Sequence, residues 1–425
     1  MKRYETYKDS GIQWWEEIPT HWDLKKAKHI FSLVTENVSD SSLPKIALEN
    51  IESWTGKYIE TDSDFMGEGV EFKKDDILFG KLRPYLAKVY KAEFAGQAVG
   101  DIYVFRGNEE QNPEYLKYLL LSYPFISVVD GSTYGAKMPR ANWDFISHLV
   151  LPCPPKTEQV TIAAFLDRKV SQIDATIAEK EQMLEDLKAY RSAIISEAVT
   201  KGLDKNVEMK DSGNEWMGRV PKHWKISKLK YTGAFDNGLT YSPEDVVEKG
   251  ILVLRSSNIQ NGHLSFDDCV YVKNAPSDLM VEDGDIIICS RNGSANLVGK
   301  CAFVDHIENS SFGAFMMRFR PCIHKKFAFY AFQASTSSYK GLYSTSTINQ
   351  ITKAVIDQMF MVVPPIEEQE RIADYIDKKI TNIDSSLTEV DSQIADLKSY
   401  KSVLITEAVT GKIDLRDWKP KKVND

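Results

Sequence analysis

The chain has 425 residues, 43% of them apolar and 27% charged, a globular composition with room for two or three domains. No apolar run approaches the ~18 residues of a membrane-spanning helix. No secretory leader is expected from MKRYETYKDSGIQWW, and the five scattered cysteines, without a CxxC, argue against a disulfide framework or a zinc site and fit the cytoplasm. The net charge of −8 counts, taken alone, against a nucleic-acid partner.

In chain order the first signal is a repeat. KDSGIQWWEEIPTHWDLKKAK at residues 8–28 returns as KDSGNEWMGRVPKHWKISKLK at residues 210–230, pairing Asp9 with Asp211, Trp14 with Trp216, Pro19 with Pro221, His21 with His223 and Trp22 with Trp224. Residues 154–204 match residues 364–414 without a gap, 22 of 51 positions being identical. The stretches between hardly match. One scaffold written twice, with two different interiors, suggests two different specificities. The expected segments are a first head (1–155), a helical spacer (156–204), a second head (205–365), and a second helical spacer with a C-terminal tail (366–425).

Short β-favouring runs alternate with turn signals in both heads, KIALENI, DDILFGKL and DIYVF in the first, ILVLRSSNI, GDIIICS and AFMMRFR in the second. Each head has one expected helix, near 113–121 and near 324–335. The loops 80–88 (GKLRPYLAK) and 131–143 (GSTYGAKMPRANW), and in the second head 290–300 (SRNGSANLVGK) and 344–350 (STSTINQ), combine basic, amide and hydroxyl side chains. Arginine donates a bidentate pair to guanine, asparagine and glutamine pair with adenine, and hydroxyls hold phosphate. The candidate DNA-contacting residues are therefore Lys81, Arg83, Tyr85, Lys137 and Arg140 in head one. In head two they are Arg255, Asn258, Arg291, Asn292, Ser294, Thr347 and Asn349.

The two repeated stretches carry apolar residues at alternating spacings of 3 and 4. The seams are Ala163, Leu166, Val170, Ile173, Ile177, Leu184 and onward, and Ala373, Ile376, Ile380, Ile383, Leu387, Val390 and onward. A 3.5-residue repeat held over five heptads predicts coiled-coil helices of about 40 residues and roughly 60 Å. Pro154–Pro155 and Pro364–Pro365 mark their starts, with Thr157 and Glu367 as the expected N-cap positions. Lys180, Arg191 and Lys401 interrupt the seams and would fix register. Short connections favour antiparallel pairing of the two helices. The fold class expected is α+β: two mixed, strand-rich heads joined by two long antiparallel coiled-coil helices, with a pseudo-two-fold internal repeat.

Chemistry is not visible. There is no [ND]PP[YFW] tetrapeptide, no phosphate-loop GxxxxGK[ST], no HExxH and no GxSxG. His21 and His223, each in Pro-x-His-Trp, read as packing residues, and Glu71-Phe72-Lys73 lacks the preceding Pro-Asp of a nuclease. The residues alone leave two classes open, a DNA-reading module and a coiled-coil adaptor whose two heads bind other ligands.

The opening motif resembles that of a known family, as do the Pro-Pro-x-x-Glu-Gln-x-x-Ile-Ala helix starts (Pro154, Pro155, Glu158, Gln159, Ile162, Ala163; Pro364, Pro365, Glu368, Gln369, Ile372, Ala373) and the helix ends SEAVTKGLD and TEAVTGKID. The family is the specificity (S) subunit of type I restriction–modification systems, and the resemblance covers nearly the whole chain. It implies that the heads are target recognition domains reading the two halves of a bipartite, asymmetric site in double-stranded DNA. It implies spacer helices that set the unread gap and dock two methyltransferase (M) subunits, with restriction (R) subunits joining through that core. It further implies no cofactor and no reaction in this chain, S-adenosylmethionine belonging to M, and ATP and Mg²⁺ to R. The charge divides by segment as −5, −2, +2 and −3, so phosphate neutralisation would come largely from partner subunits.

Overall fold

The computed structural model describes residues 2–419 apart from 13, 39–42, 62–67, 134–136, 340 and 342–348. The chain forms two compact units, Met1–Glu181 with Asp391–Asp425, and Gln182–Val390. Each holds one head and part of both long helices.

In the first unit the apolar strands Phe31–Val34, Ile102–Gly107, Ile77–Gly80 and Val89–Lys91 lie side by side in that order, all antiparallel. Phe31, Phe79, Phe105 and Phe125 fill the space behind them, fully buried, with neighbouring ring centroids 4.8–5.9 Å apart. A second sheet contains the parallel pair Lys45–Ile46 and Gly96–Ala98. The predicted helix is Pro113–Leu121. Asn112 caps it by accepting from the Tyr115 N–H at 2.9 Å, and Pro113 presets its first turn. Two further helices, Tyr123–Gly131 and Trp143–His148, bracket the loop between them and were not expected.

The second unit repeats the plan. Gly233–Asn237, Met316–Pro321, Ile286–Cys289 and Cys301–Phe303 form the same antiparallel order. Ile251–Leu254 and Ser310–Phe312 supply the parallel pair, Lys325–Ser338 is the predicted helix, and a short helix, Lys353–Ile356, was not expected. Phe235 stacks on Phe319 at 4.4 Å and 4°.

The long helices run Lys156–Lys201 and Ile366–Val409, 46 and 44 residues, or about 69 and 66 Å at 1.5 Å per residue. They start one residue before the expected caps. Thr157 and Glu367 lie inside the first turn, and the Pro155 and Pro365 carbonyls accept the first N–H groups, from Glu158 and Gln159 and from Glu368 and Gln369. In the first unit Asp174 meets Lys401 at 2.8 Å and Lys180 meets Gln393 at 2.6 Å; numbers rise on one helix as they fall on the other, so the pairing is antiparallel. In the second unit Arg191 Nε donates to Asp384 at 2.8 Å. Every polar interruption of the seams thus has a partner, consistent with a role in register.

Each head is pinned to its helix start in the same way. Gln159 accepts from the Asn112 N–H at 2.8 Å and donates to the Pro154 carbonyl at 2.9 Å. Gln369 accepts from the His324 N–H at 2.9 Å and donates to the Pro364 carbonyl at 2.7 Å. No helix among the described residues is long and apolar enough to cross a membrane.

Candidate nucleic-acid interface

In head two, the strand Ile286–Cys289 runs out into Arg291–Asn292, which pairs antiparallel with Asn349–Gln350. This pairing brings together two of the polar loops singled out in the sequence. The Asn292 carboxamide oxygen accepts from the Ser294 N–H at 3.0 Å and turns the loop back, and Asn349 Nδ2 lies 3.4 Å from the Gly293 carbonyl. A cavity of about 860 Å³ opens here, lined among others by Tyr241, Arg255, Arg291, Asn292, Phe315 and Asn349. The Arg291 guanidinium lies 5.5 Å from the centroid of the Phe315 ring, which is 60% exposed. Arg255 is anchored by Asp268, 2.7 Å from its carboxylate and 3.1 Å from its carbonyl oxygen. The lining therefore offers cationic forks and amides over an apolar floor, the chemistry that reads base edges.

Head one builds the same junction from different residues. Leu82 bridges Arg140, the Arg83 N–H donates to the Pro139 carbonyl at 2.8 Å, and the Ala141 N–H donates to the Lys81 carbonyl at 2.8 Å. Arg140 makes two 3.0 Å bonds to the Asp101 carboxylate. Lys81 lies 3.8 Å from the same carboxylate and 5.2 Å over the Tyr103 ring. The Arg140 guanidinium, helped by Lys81 and opposed by partial burial, holds the Asp101 carboxyl below its usual range. Arg83 is exposed on left-handed backbone (φ 52°), Tyr85 is 47% exposed, and Lys137 is exposed.

One expected contact residue sits elsewhere. Asn258 is 0% exposed, and its carboxamide is consumed internally. It accepts from the Arg255 N–H at 2.9 Å and donates to the Ser265 and Asp268 carbonyls at 3.0 and 2.9 Å. Asn50 does the same in head one, accepting from the Ala47 N–H and donating to the Ile59 carbonyl. The Asn-Ile echo between the heads therefore marks a buried loop brace, and the Asn258 side chain, expected at the DNA, is spent inside the fold. Thr347 lies outside the described residues. Asp101 and Phe315, which contact the junction arginines in the two heads, were missed, because Gly100-Asp101-Ile102 and Ala314-Phe315-Met316 share no residue. Among the described residues no group of three or more His, Cys, Asp or Glu is placed to hold a metal ion.

A sequence model of the type I restriction modification DNA specificity domain matches residues 30–186 and again 221–393. The chain is 24% identical over 390 residues to the type I restriction enzyme EcoKI specificity subunit of Escherichia coli K12, covering 81% of this chain and 79% of that one. It is 22% identical to the putative type I restriction enzyme MjaX specificity subunit of Methanocaldococcus jannaschii, over 96% of this chain and 98% of that one. Its fold is similar, with a TM-score of 0.71 and 18% identity, to a chain solved in work on complex assembly and conformational transition of the type I R-M system, covering 93% of this chain and 99% of that one.

Proposed function

We propose a division of labour for this chain, which belongs to the type I restriction modification DNA specificity family. It is the DNA sequence-recognition subunit of a type I restriction–modification complex, and within that complex it is not the catalytic chain. Head one reads one half of a bipartite, asymmetric site in double-stranded DNA and head two reads the other. The long helices set the unread gap and dock two methyltransferase subunits, and restriction subunits join through that core. S-adenosylmethionine belongs to the methyltransferase subunits, ATP and Mg²⁺ to the restriction subunits, and the complex works in the cytoplasm.

One observation carries the reading of the heads. Both present the same cross-strand junction of two polar loops, furnished in head one with Lys81, Arg83 and Arg140 and in head two with Arg291, Asn292 and Asn349. A shared backbone with different donors and acceptors suits two different half-sites. The charge of the heads, −5 and +2, supports weak binding by the chain alone, with partner subunits supplying most phosphate contacts.

Co-expression with its methyltransferase subunits and single-molecule methylome sequencing tests this. The expected result is adenine methylation at a split motif with a fixed gap, and exchange of head one alters one half only. A continuous motif, or none with active methyltransferase present, overturns the reading.

A further inference from the structure

The strand registers of the two heads place Asp101 and Phe315 at one position. Ile102 pairs with Gly80 in head one and Met316 with Cys289 in head two. One residue earlier, the Asp101 carbonyl accepts from the Lys81 N–H at 2.9 Å and the Phe315 carbonyl from the Ser290 N–H at 3.0 Å. Lys81 and Ser290 in turn accept at their carbonyls from Ala141 and Ile351, both at 2.8 Å. The cross-strand pair Leu82 with Arg140 is therefore equivalent to the pair Arg291 with Gln350. Each head has one arginine in this pair, on the later strand in head one and on the earlier strand in head two.

The residue just before the strand Ile102–Gly107 in head one, and before Met316–Pro321 in head two, touches that arginine by different physics. Asp101 grips Arg140 with two 3.0 Å charge-assisted bonds. Phe315 offers a ring face 5.5 Å from the Arg291 guanidinium carbon. A guanidinium on a long, rotatable side chain loses less freedom on meeting a base if it is already held. A carboxylate occupies one edge of the fork and leaves the remaining N–H groups. An aromatic face leaves all five donors in the plane.

We propose that positions 101 and 315 are the paired positioning residues of the two heads, each orienting its junction arginine toward a base of its own half-site. The proposal rests on the reading of the heads as DNA-recognition domains. It assigns to this one position the choice between an anionic hold in head one and an aromatic hold in head two. Asp101 also has a consequence that a packing role lacks. As an anion beside the junction it repels phosphate, so it lowers non-specific affinity while sharpening the specific contact.

The test uses the complex with its methyltransferase subunits and four variants of this chain, Asp101→Asn, Asp101→Glu, Phe315→Leu and Phe315→Trp. Methylome sequencing reads each half-site separately, so the untouched half is an internal control for folding. Asp101→Asn is expected to relax one base position in the head-one half by about tenfold in discrimination, with head two unchanged. Its binding to unrelated duplex is expected to tighten and to grow more salt-sensitive. Asp101→Glu restores the motif. Phe315→Leu keeps the apolar bulk but loses the ring, and is expected to relax the head-two half alone, whereas Phe315→Trp keeps it sharp. Unaltered motif letters in Asp101→Asn and Phe315→Leu overturn the proposal, as does equal behaviour of Phe315→Leu and Phe315→Trp, or a blurring of both halves by either change. Absence of a split motif in the unsubstituted complex overturns instead the reading on which it rests.

Discussion

His21 and Glu158 stand 137 residues apart in the chain and 2.6 Å apart in the fold. The other Glu158 oxygen accepts from the Trp22 indole at 3.0 Å and from the Tyr4 hydroxyl at 2.9 Å. His223, Trp224 and Glu368 repeat the arrangement in the second unit at 2.7 and 2.9 Å. The doubled Pro-x-His-Trp motif is thus the lock that receives the doubled Pro-Pro-x-x-Glu-Gln helix start. It ties each head to the first turn of its own long helix.

Removing the carboxylate leaves the Trp22 indole N–H, on a side chain that is 0% exposed, without its acceptor. Glu158→Ala is expected to destabilise the first unit by about 2–4 kcal/mol, and Glu368→Ala the second by a similar amount. Urea unfolding followed by tryptophan fluorescence measures both. A loss below about 0.5 kcal/mol, the ordinary range for a surface substitution, would refute the lock.

Asn258 separates bracing from reading. With three internal hydrogen bonds and no exposed surface, Asn258→Ala is expected to cost about 2–3 kcal/mol of stability through the stranded backbone groups. The methylation motif of the protein that still folds should keep every letter. Arg291→Ala should behave in the opposite way. Its melting temperature should hold while discrimination at one base pair of the head-two half falls by about 1–3 kcal/mol.

The contrast explains what could be read in the chain before its fold was known. Heptads and the doubled motifs are periodic or repeated, so local spacing carries them, and the antiparallel pairing follows from the short connections. The strands of the heads were legible as short apolar runs, because Ile77–Gly80 and Ile286–Cys289 are buried along their whole length. The direction in which a polar side chain faces was not legible. Asn258 and Asn292 are the same residue type in similar polar surroundings, yet one is sealed into a loop and the other lines a cavity. Asp101 and Phe315 escaped for a related reason. Their equivalence is defined by strand register, which identity at a single position does not reveal.

The helices make a length prediction. Seven residues keep the heptad phase and add about 10 Å to a helix. Inserting one heptad into each long helix, at facing positions of the seam, is expected to keep the complex active and to lengthen the unread gap by about 3 base pairs. Two residues inserted in one helix alone turn its seam by about 200° away from the partner and should abolish methylation. A functional complex with an unchanged gap would refute the spacing role, and the methylome reads the gap directly.

Asp174 ties the seam to pH. Burial works to raise its pKa, but hydrogen bonds from Lys401 and Lys57, each at 2.8 Å, outweigh burial and hold the carboxyl below its ordinary value of 3.8. A carboxyl depressed in the folded state contributes stability that is complete above its unfolded pKa, near 4, and is lost as pH falls through the lower folded value. Asp174→Asn should therefore destabilise the protein at neutral pH, by about 1–3 kcal/mol since Lys401 is left buried without its anion. The gap between variant and parent should stay constant down to about pH 5 and close below about pH 4. Lys401→Met puts an apolar side chain into the seam while Asp174 keeps Lys57, so it is expected to cost under about 1 kcal/mol at neutral pH. Thermal melts of the three proteins from pH 7 to pH 3 measure this. A gap that widened on acidification would show that the neutral carboxyl, not the carboxylate, is the form the seam holds.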